Sequence, residues 1–444
     1  MQLPEAFITR TKDLLGGEWG AFEQALNEES PVSIRLNPQK ISSEALSETL
    51  PLIESVPWCA EGYYLNSRPS FTLDPLFHAG CYYVQEASSM ILEYFVRNYF
   101  PQPAKVLDLC AAPGGKSTHL SALLESNSLL IANEVIRSRA AILSENLTKW
   151  GNPNTLITCN DPAEIGRSAP NFFDVIVADL PCSGEGMFRK DPTATGEWSP
   201  DHIRLCARRQ RRIAADIWPS LKPGGILIYS TCTYNREENE ENLQWICSEM
   251  NAEVLESPRR LMPHQVKGEG FFIAGLRKKG FLIADNNIKK KSKKQKAKEE
   301  TSKLSNASPF DDWLSTPGDF IFISDNARQT AVPSVHFSDY LLVKNNLRLI
   351  SGGAALGEMK GQDKIPAQGL ALSSALSETA FPRWEVDKET ALCYLRKGVL
   401  QKIPSDLPKG YVLISYHKHP LGFVKNIGTR INNLYPQEWR IRTS

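Results

Sequence analysis

KVLDLCAAPGGKSTHL, residues 105–120, runs from a short apolar stretch through a loop of small residues into the opening of a helix. In a parallel sheet a strand hands over to its covering helix in this way, and small residues let a ligand approach the loop backbone closely. Working outward, SLLIANE (128–134), FFDVIVADL (172–180) and ILIYSTCT (226–233) repeat the buried-strand pattern, separated by amphipathic stretches. The alternation predicts a doubly wound α/β sheet in which these runs, with KVLDLC, are strands two, four, five and one. The segment 136–151, IRSRAAILSENLTKWG, has helical spacing and stops at Gly151, a residue suited to the position just past a helix end. Asn235 followed by Glu238 reads as a cap and capping carboxylate for a helix REENEENLQWI, starting just after Cys232.

The chain of 444 residues with 41% hydrophobic content can build several cores. Its 51 Lys+Arg nearly balance 50 Asp+Glu, so affinity for a polyanion must come from local patches. MQLPEAFITRTKDLL lacks a leader pattern and no run reaches membrane-spanning length; the expectation is a cytoplasmic protein with no membrane partner. Nine cysteines without CxxC spacing predict reduced thiols, no disulfide framework and no metal site. KKKSKKQKAK at 289–298 is too charged to pack and reads as an exposed linker able to touch phosphate. The expected units are an N-terminal RNA-binding α/β domain (1–103), a catalytic domain (104–285), a Lys-rich linker (286–308) and a β-rich C-terminal region (309–444). In that last region, apolar residues alternate with Lys, His and Arg over 410–442.

The loop after the first strand is neither a dinucleotide fingerprint, lacking GxGxxG, nor a P-loop, whose first glycine would fall on Cys110. A nucleoside cofactor held by loop and carboxylates remains. Glu134, nineteen residues beyond Gly115, stands where a ribose-binding acid belongs. Asp161 near the end of the third strand suits an adenine amino group or an ordinary Asp-Pro turn. Lys116 suits a cofactor carboxylate or solvent, and Asp108 the loop or the cofactor's amino group. S-adenosylmethionine, a positive methyl donor, fits a pocket bordered by Asp108, Glu134, Asp161 and Asp179.

Cys182 and Cys232 sit at the carboxyl ends of strands four and five, which are neighbours in such a sheet, so both thiols face the ligand crevice. Carbon 5 of cytosine is a poor nucleophile until a thiolate adds to carbon 6. One thiol for that addition, a second for proton handling or release, and Asp179 at the ring nitrogen beside the amine would suffice. The remaining cysteines, 59, 81, 110, 159, 206, 247 and 393, read as packing residues, with Cys110 also lining the loop.

LDLCAAPGGKS, ADLPCSGEGMFRKDP, STCTYNREENE and HQVKGEGFFIAGL, in that order, resemble the successive motifs of the RNA 5-methylcytosine methyltransferases of the Nol1/Nop2/Sun type. The resemblance implies a Rossmann-like methyltransferase sheet, with Cys232 as nucleophile and Cys182 helping to resolve the adduct. It implies that S-adenosylmethionine is held by Cys110, Ala111, Ala112, Pro113, Gly114, Gly115, Lys116, Glu134, Asp161 and Asp179. The late segment LGFVKNIGTRINNLYP is similar to the PUA-like C-terminal domain of the bacterial RsmF-like branch, which acts on 16S ribosomal RNA. The partner expected is therefore ribosomal RNA or the small subunit, and the protein is expected to be a monomer. Transfer RNA as substrate, or a non-catalytic assembly role, are the alternatives. An amino-group methyltransferase is disfavoured, because DLPC stands where those enzymes carry Asn/Asp-Pro-Pro-aromatic. Phe188, Trp198 and His202 are candidates to hold the base. Arg35, Arg189, Lys190 and the run 207–213 are candidates for phosphate.

Overall fold

The computed structural model describes residues 3–191, 193–280, 307–401 and 403–443. At its centre are five parallel strands, β1 (Lys105–Asp108), β2 (Leu129–Asn133), β3 (Thr155–Thr158), β4 (Phe173–Asp179) and β5 (Leu221–Thr231). Antiparallel β6 (Phe271–Lys278) and β7 (Leu349–Gly352) flank them, giving the order β6-β5-β4-β1-β2-β3-β7. The order reverses beside β1, and the crevice at such a switch point opens where the carboxyl ends of β1 and β4 lie together. The doubly wound expectation holds, with β7 arriving from far along the chain.

Burial on both faces explains the continuous apolar runs. Leu107, Ile131, Ile176 and Leu227 pack into one core with Ile213 and Ile217 of a covering helix. Val106, Leu130, Val175 and Ile228 pack with Phe95 and Leu120 on the other face. The covering helices include α1 (Gly115–Leu123), α2 (Arg137–Trp150), α3 (Pro162–Ser168), α4 (Pro200–Ile217) and α5 (Glu240–Glu249). α2 ends where expected, with Gly151 left-handed at φ 90°. A Cβ there would also sit 2.1 Å from the Leu372 carbonyl oxygen, so backbone from the C-terminal region crosses at contact distance.

Before the central sheet, a four-stranded sheet is built from Val32–Leu36, Leu52–Ser55, Gly62–Leu65 and Tyr82–Val84. Arg35 does not face RNA: it is fully buried. Its guanidinium donates to Gln85 Oε1 (2.9 Å) and Thr118 Oγ1 (2.6 Å) and lies over the Trp150 ring. It ties this sheet to α1 and α2. Below it, His119 Nε2 lies 3.2 Å from Glu93 Oε2 and 3.7 Å from Cys59 Sγ in a closed buried group.

Residues 307–443 build two further four-stranded sheets and contribute β7 to the central one. Their apolar residues Trp384, Tyr394, Leu395 and Val412 share one core with Ile34, Leu36 and Tyr82 of the N-terminal sheet. The Lys-rich stretch 289–298 lies outside the described residues. Among the described residues no helix is long and apolar enough to cross a membrane.

Candidate active site

Register brings the key residues to one edge. β4 and β5 run parallel with Asp179 opposite Ser230, so the loops that follow leave side by side and the Cys182 and Cys232 sulfurs lie 3.2 Å apart. Both thiols are free and partly exposed. The hydrogen bond with Cys232, and then burial, push the Cys182 thiol well above the ordinary thiol range. Either sulfur can act as the S–H donor across this contact.

Asp179 closes the floor. Its Oδ2 accepts from Lys116 Nζ at 2.7 Å and its Oδ1 from Ser230 Oγ at 2.9 Å. Burial alone would lower Lys116, but the Asp179 carboxylate outweighs it and holds the ammonium above the usual lysine value. Lys116 also lies 4.8 Å over the Phe271 ring.

The loop 110–114 joins β1 to α1 and is pinned from behind by Arg139 on the Ala112 carbonyl (2.8 Å) and Asn146 on the Pro113 carbonyl (2.7 Å). Asp108 ends β1 fully buried; Oδ2 accepts from Ser117 Oγ at 2.6 Å and Oδ1 has no partner among the described residues. Burial raises its pKa to about 7, against the pull of Ser117 and Lys116 and with help from Asp179 and Glu134. Glu134, buried just past β2, accepts from the Ile136 N–H and faces Arg139 at 3.4 Å. Asp161, exposed beyond β3, caps α3 through Ala163 N and forms a capping box with Glu164. Burial pushes the Cys110 thiol up.

The four carboxylates end or follow β1, β2, β3 and β4 at the carboxyl edge of the sheet. An acidic, acceptor-rich cradle with one orphaned buried oxygen suits a ligand offering an ammonium, ribose hydroxyls and a sulfonium. The residues fit S-adenosylmethionine.

Several candidates serve packing instead. Phe188 and Trp198 are buried with Phe7, Phe22 and Tyr234 under the N-terminal helices, and Trp198 Nε1 donates to Glu185; neither presents a face to a base. His202 lies in the first turn of α4, and its Nδ1 is buried without a partner among the described residues. Arg189 is buried on Glu269 at 2.7 Å, and Lys190 approaches the same carboxylate. Within 207–213, Arg208 and Arg212 are exposed, while Gln210 is fully buried and Arg211 donates to Asn242.

Asn235 and Glu238 do pair, through Glu238 N–H to Asn235 Oδ1 at 2.9 Å and Asn235 Nδ2 to Glu238 Oε1 at 2.9 Å. The pairing closes a turn rather than a helix start, and α5 begins at Glu240. The reason is that the Glu238 carboxylate points inward, to Ser183 N and Gln210 Nε2. Sequence reading missed this role and that of Glu185, because an acid in SGEG or NREENE looks like a solvated loop residue. It also missed β7, whose approach holds the Asp161 region: Arg348 O accepts from Cys159 N at 3.0 Å and Arg348 N donates to Asn160 Oδ1 at 3.0 Å.

Comparison with known proteins places the chain in a family. Residues 100–277 match the family of 16S rRNA methyltransferase RsmB/F, residues 3–87 the N-terminal domain of 16S rRNA methyltransferase RsmF, and residues 381–441 the methyltransferase RsmF PUA domain. The ribosomal RNA small subunit methyltransferase F of Pectobacterium carotovorum (strain PC1) is 31% identical over 98% of this chain and 95% of its own length. That of Salmonella arizonae is 32% identical over 98% and 96%. The alignment to the Pectobacterium atrosepticum enzyme, 35% identical, spans 63% of each chain. Among solved structures, a methyltransferase homolog from Pyrococcus horikoshii is 32% identical, with TM-score 0.54, over 62% of this chain and 95% of that one. The chain belongs to the RsmB/F family of S-adenosylmethionine-dependent RNA methyltransferases, in its RsmF branch.

Proposed function

We propose that this protein methylates carbon 5 of a cytosine in 16S ribosomal RNA, with Cys232 as nucleophile and Cys182 assisting release. The 3.2 Å contact between the two sulfurs at the ends of neighbouring strands is the observation that carries the reading. An amino-group methyltransferase has no use for such a pair.

The 110–116 loop, Asp108, Glu134, Asp161 and Asp179 would hold S-adenosylmethionine, which would supply an electrophilic methyl group. The Cys232 thiolate adds to carbon 6, and electron density moves toward the ring nitrogen, which takes up a proton relayed through Asp179 from the Lys116 ammonium on its Oδ2, while Ser230 fixes the other oxygen. Cys182 lies 3.2 Å from the attacking sulfur and can exchange an S–H hydrogen bond with it. After carbon 5 carries the methyl group, the carbon-5 proton passes to solvent water, the ring nitrogen returns its proton through Asp179, the C6–S bond breaks and the Cys232 thiolate returns. Cys182, in contact with the departing sulfur, assists that last stage.

The same reading assigns residues 1–103 to an N-terminal unit, 104–285 to catalysis, 286–308 to a linker and 309–444 to RNA recognition. It has the protein act as a cytoplasmic monomer. The matching family descriptions, which name 16S rRNA methyltransferases, support 16S ribosomal RNA as substrate. Bisulfite sequencing of RNA from cells with and without the gene tests it. Loss of one protected cytosine in 16S RNA is expected; loss in transfer RNA would replace the substrate, and no change anywhere would remove the reaction.

A further inference from the structure

Two buried carboxylates around the thiol pair belong to crossed loops. Glu185 lies on the Cys182 loop, yet its Oε2 accepts from three groups of the Cys232 loop: Thr233 Oγ1 (2.7 Å), Tyr234 N (2.6 Å) and Asn235 N (3.0 Å). Glu238 lies on the Cys232 side, and its two oxygens accept from Ser183 N, next to Cys182, at 3.0 and 3.3 Å. Gln210 Nε2 holds Glu238 Oε2 at 2.7 Å and also donates to the Pro181 carbonyl. Ser183 Oγ meets Thr233 Oγ1 at 2.9 Å, and Gly186 N donates to the Cys232 carbonyl at 2.8 Å. Glu185 is 2% exposed and Glu238 0%.

Burying two carboxylates beside one site is costly unless each is fully hydrogen-bonded. Here most of the bonds run between the two loops, with Asn235 holding Glu238 within its own loop and Trp198 and Gln210 closing from behind, so the cost is offset by contacts that fix the separation of the loops. We propose that Glu185 and Glu238 are positioning residues that set the distance between the Cys182 and Cys232 sulfurs, each loop carrying the carboxylate that fixes the other. The inference rests on the reading that the two thiols act as a pair, and it adds the device that makes them one. Gly186 belongs to the device, because a Cβ there would stand 2.7 Å from the Cys232 carbonyl oxygen.

The test uses Glu185→Gln and Glu238→Gln in the full chain. Each replaces an acceptor oxygen with an NH2 that faces other donors. Phenylarsine oxide, which bridges two adjacent thiols, reads the separation directly, with mass spectrometry locating the adduct. Its affinity for the Cys182–Cys232 pair is expected to fall by about tenfold or more, as a chelate reduced to single-thiol capture loses its effective concentration. Iodoacetamide should still label each thiol singly. Turnover on RNA is expected to fall by about 10²-fold, the order of loss an ångström of misplacement brings. RNA KM and cofactor Kd should stay within about twofold, which separates positioning from general damage. Gly186→Ala, which touches neither carboxylate, should give the same pattern, and Ser183→Ala a weaker one should a charged-site variant fail to fold. Wild-type arsenical affinity and turnover in folded variants would overturn the proposal. RNA carrying 5-fluorocytosine keeps the two readings apart. If the wild type forms a denaturant-stable adduct through Cys232 while the variants keep wild-type turnover and arsenical affinity, the brace falls and the chemistry stands. If no adduct forms but the variants lose arsenical bridging, the chemistry falls and the brace stands.

Discussion

Lowering the pH should release the cofactor through one residue, Asp108. Its carboxyl is fully buried with one oxygen unpartnered, and burial lifts its pKa from 3.8 to about 7. Because the folded state keeps a proton that the unfolded chain has lost, this group makes the ligand-free protein less stable as pH rises from about 4 to about 7. The change is on the order of 4 kcal/mol and levels off above. A cationic ligand group reverses the preference, since it meets the ionised form. At pH 6 about one molecule in ten carries that form and at pH 5 about one in a hundred, so affinity for S-adenosylmethionine should weaken about tenfold per unit below pH 7 and plateau above pH 8. Isothermal titration calorimetry from pH 5 to 8.5, in buffers of differing ionisation enthalpy, should also record proton release near pH 7. Asp108→Asn should bind weakly with the Asp108-linked slope gone. A wild-type Kd that is flat from pH 5.5 to 8, or the same slope in the Asn variant, would refute the assignment.

Cys232→Ala should abolish methyl transfer while leaving cofactor Kd and thermal unfolding unchanged; retained activity in a radiolabel transfer assay would sink the nucleophile assignment. Cys182→Ala should accumulate an RNA adduct seen as a shifted band in denaturing gels, since the thiol beside the leaving sulfur is gone. Arg35→Ala removes charged hydrogen bonds to Gln85 and Thr118 and the contact over Trp150. It should cost about 2–4 kcal/mol in denaturant unfolding and leave RNA affinity at constant cofactor unchanged, because Arg35 does not reach solvent. Asn160→Ala breaks the side-chain link to Arg348 on the approach to β7; cofactor affinity should fall about fivefold, near 1 kcal/mol, measured by the same calorimetry.

What the sequence made legible was what short-range pattern encodes. The strands β1, β2, β4 and β5, the loop 110–116 and the Gly151 stop all follow from hydrophobic runs and turn residues, so the sheet and its carboxyl edge could be drawn before any coordinate. The two thiols were legible for the same reason, because strand ends converge by topology alone. What failed were the readings that placed basic and aromatic side chains near the motifs against RNA. Arg35 and Arg189 have the letters of phosphate ligands, yet partners far along the chain, Thr118 for one and Glu269 for the other, pull them inward. Phe188 and Trp198 sit beside the Pro-Cys motif in sequence, but the helices Glu5–Leu15 and Trp19–Asn27 cover them. The same blindness hid β7, which pairs with β3 from almost two hundred residues away.

That last contact alters how the C-terminal region should be regarded. A recognition module joined by a flexible tether could be deleted without disturbing the catalytic sheet, but here its residues supply an edge strand to that sheet. They also share a core with the N-terminal unit and hold Cys159 and Asn160 beside Asp161. The edge of β3 without β7 would expose unpaired backbone groups and free the loop that carries Asp161. Removal of the region after the Lys-rich stretch should therefore impair cofactor binding as well as RNA capture. A truncated protein that bound S-adenosylmethionine with undiminished affinity would show that the β3 edge and its loop hold their shape unaided.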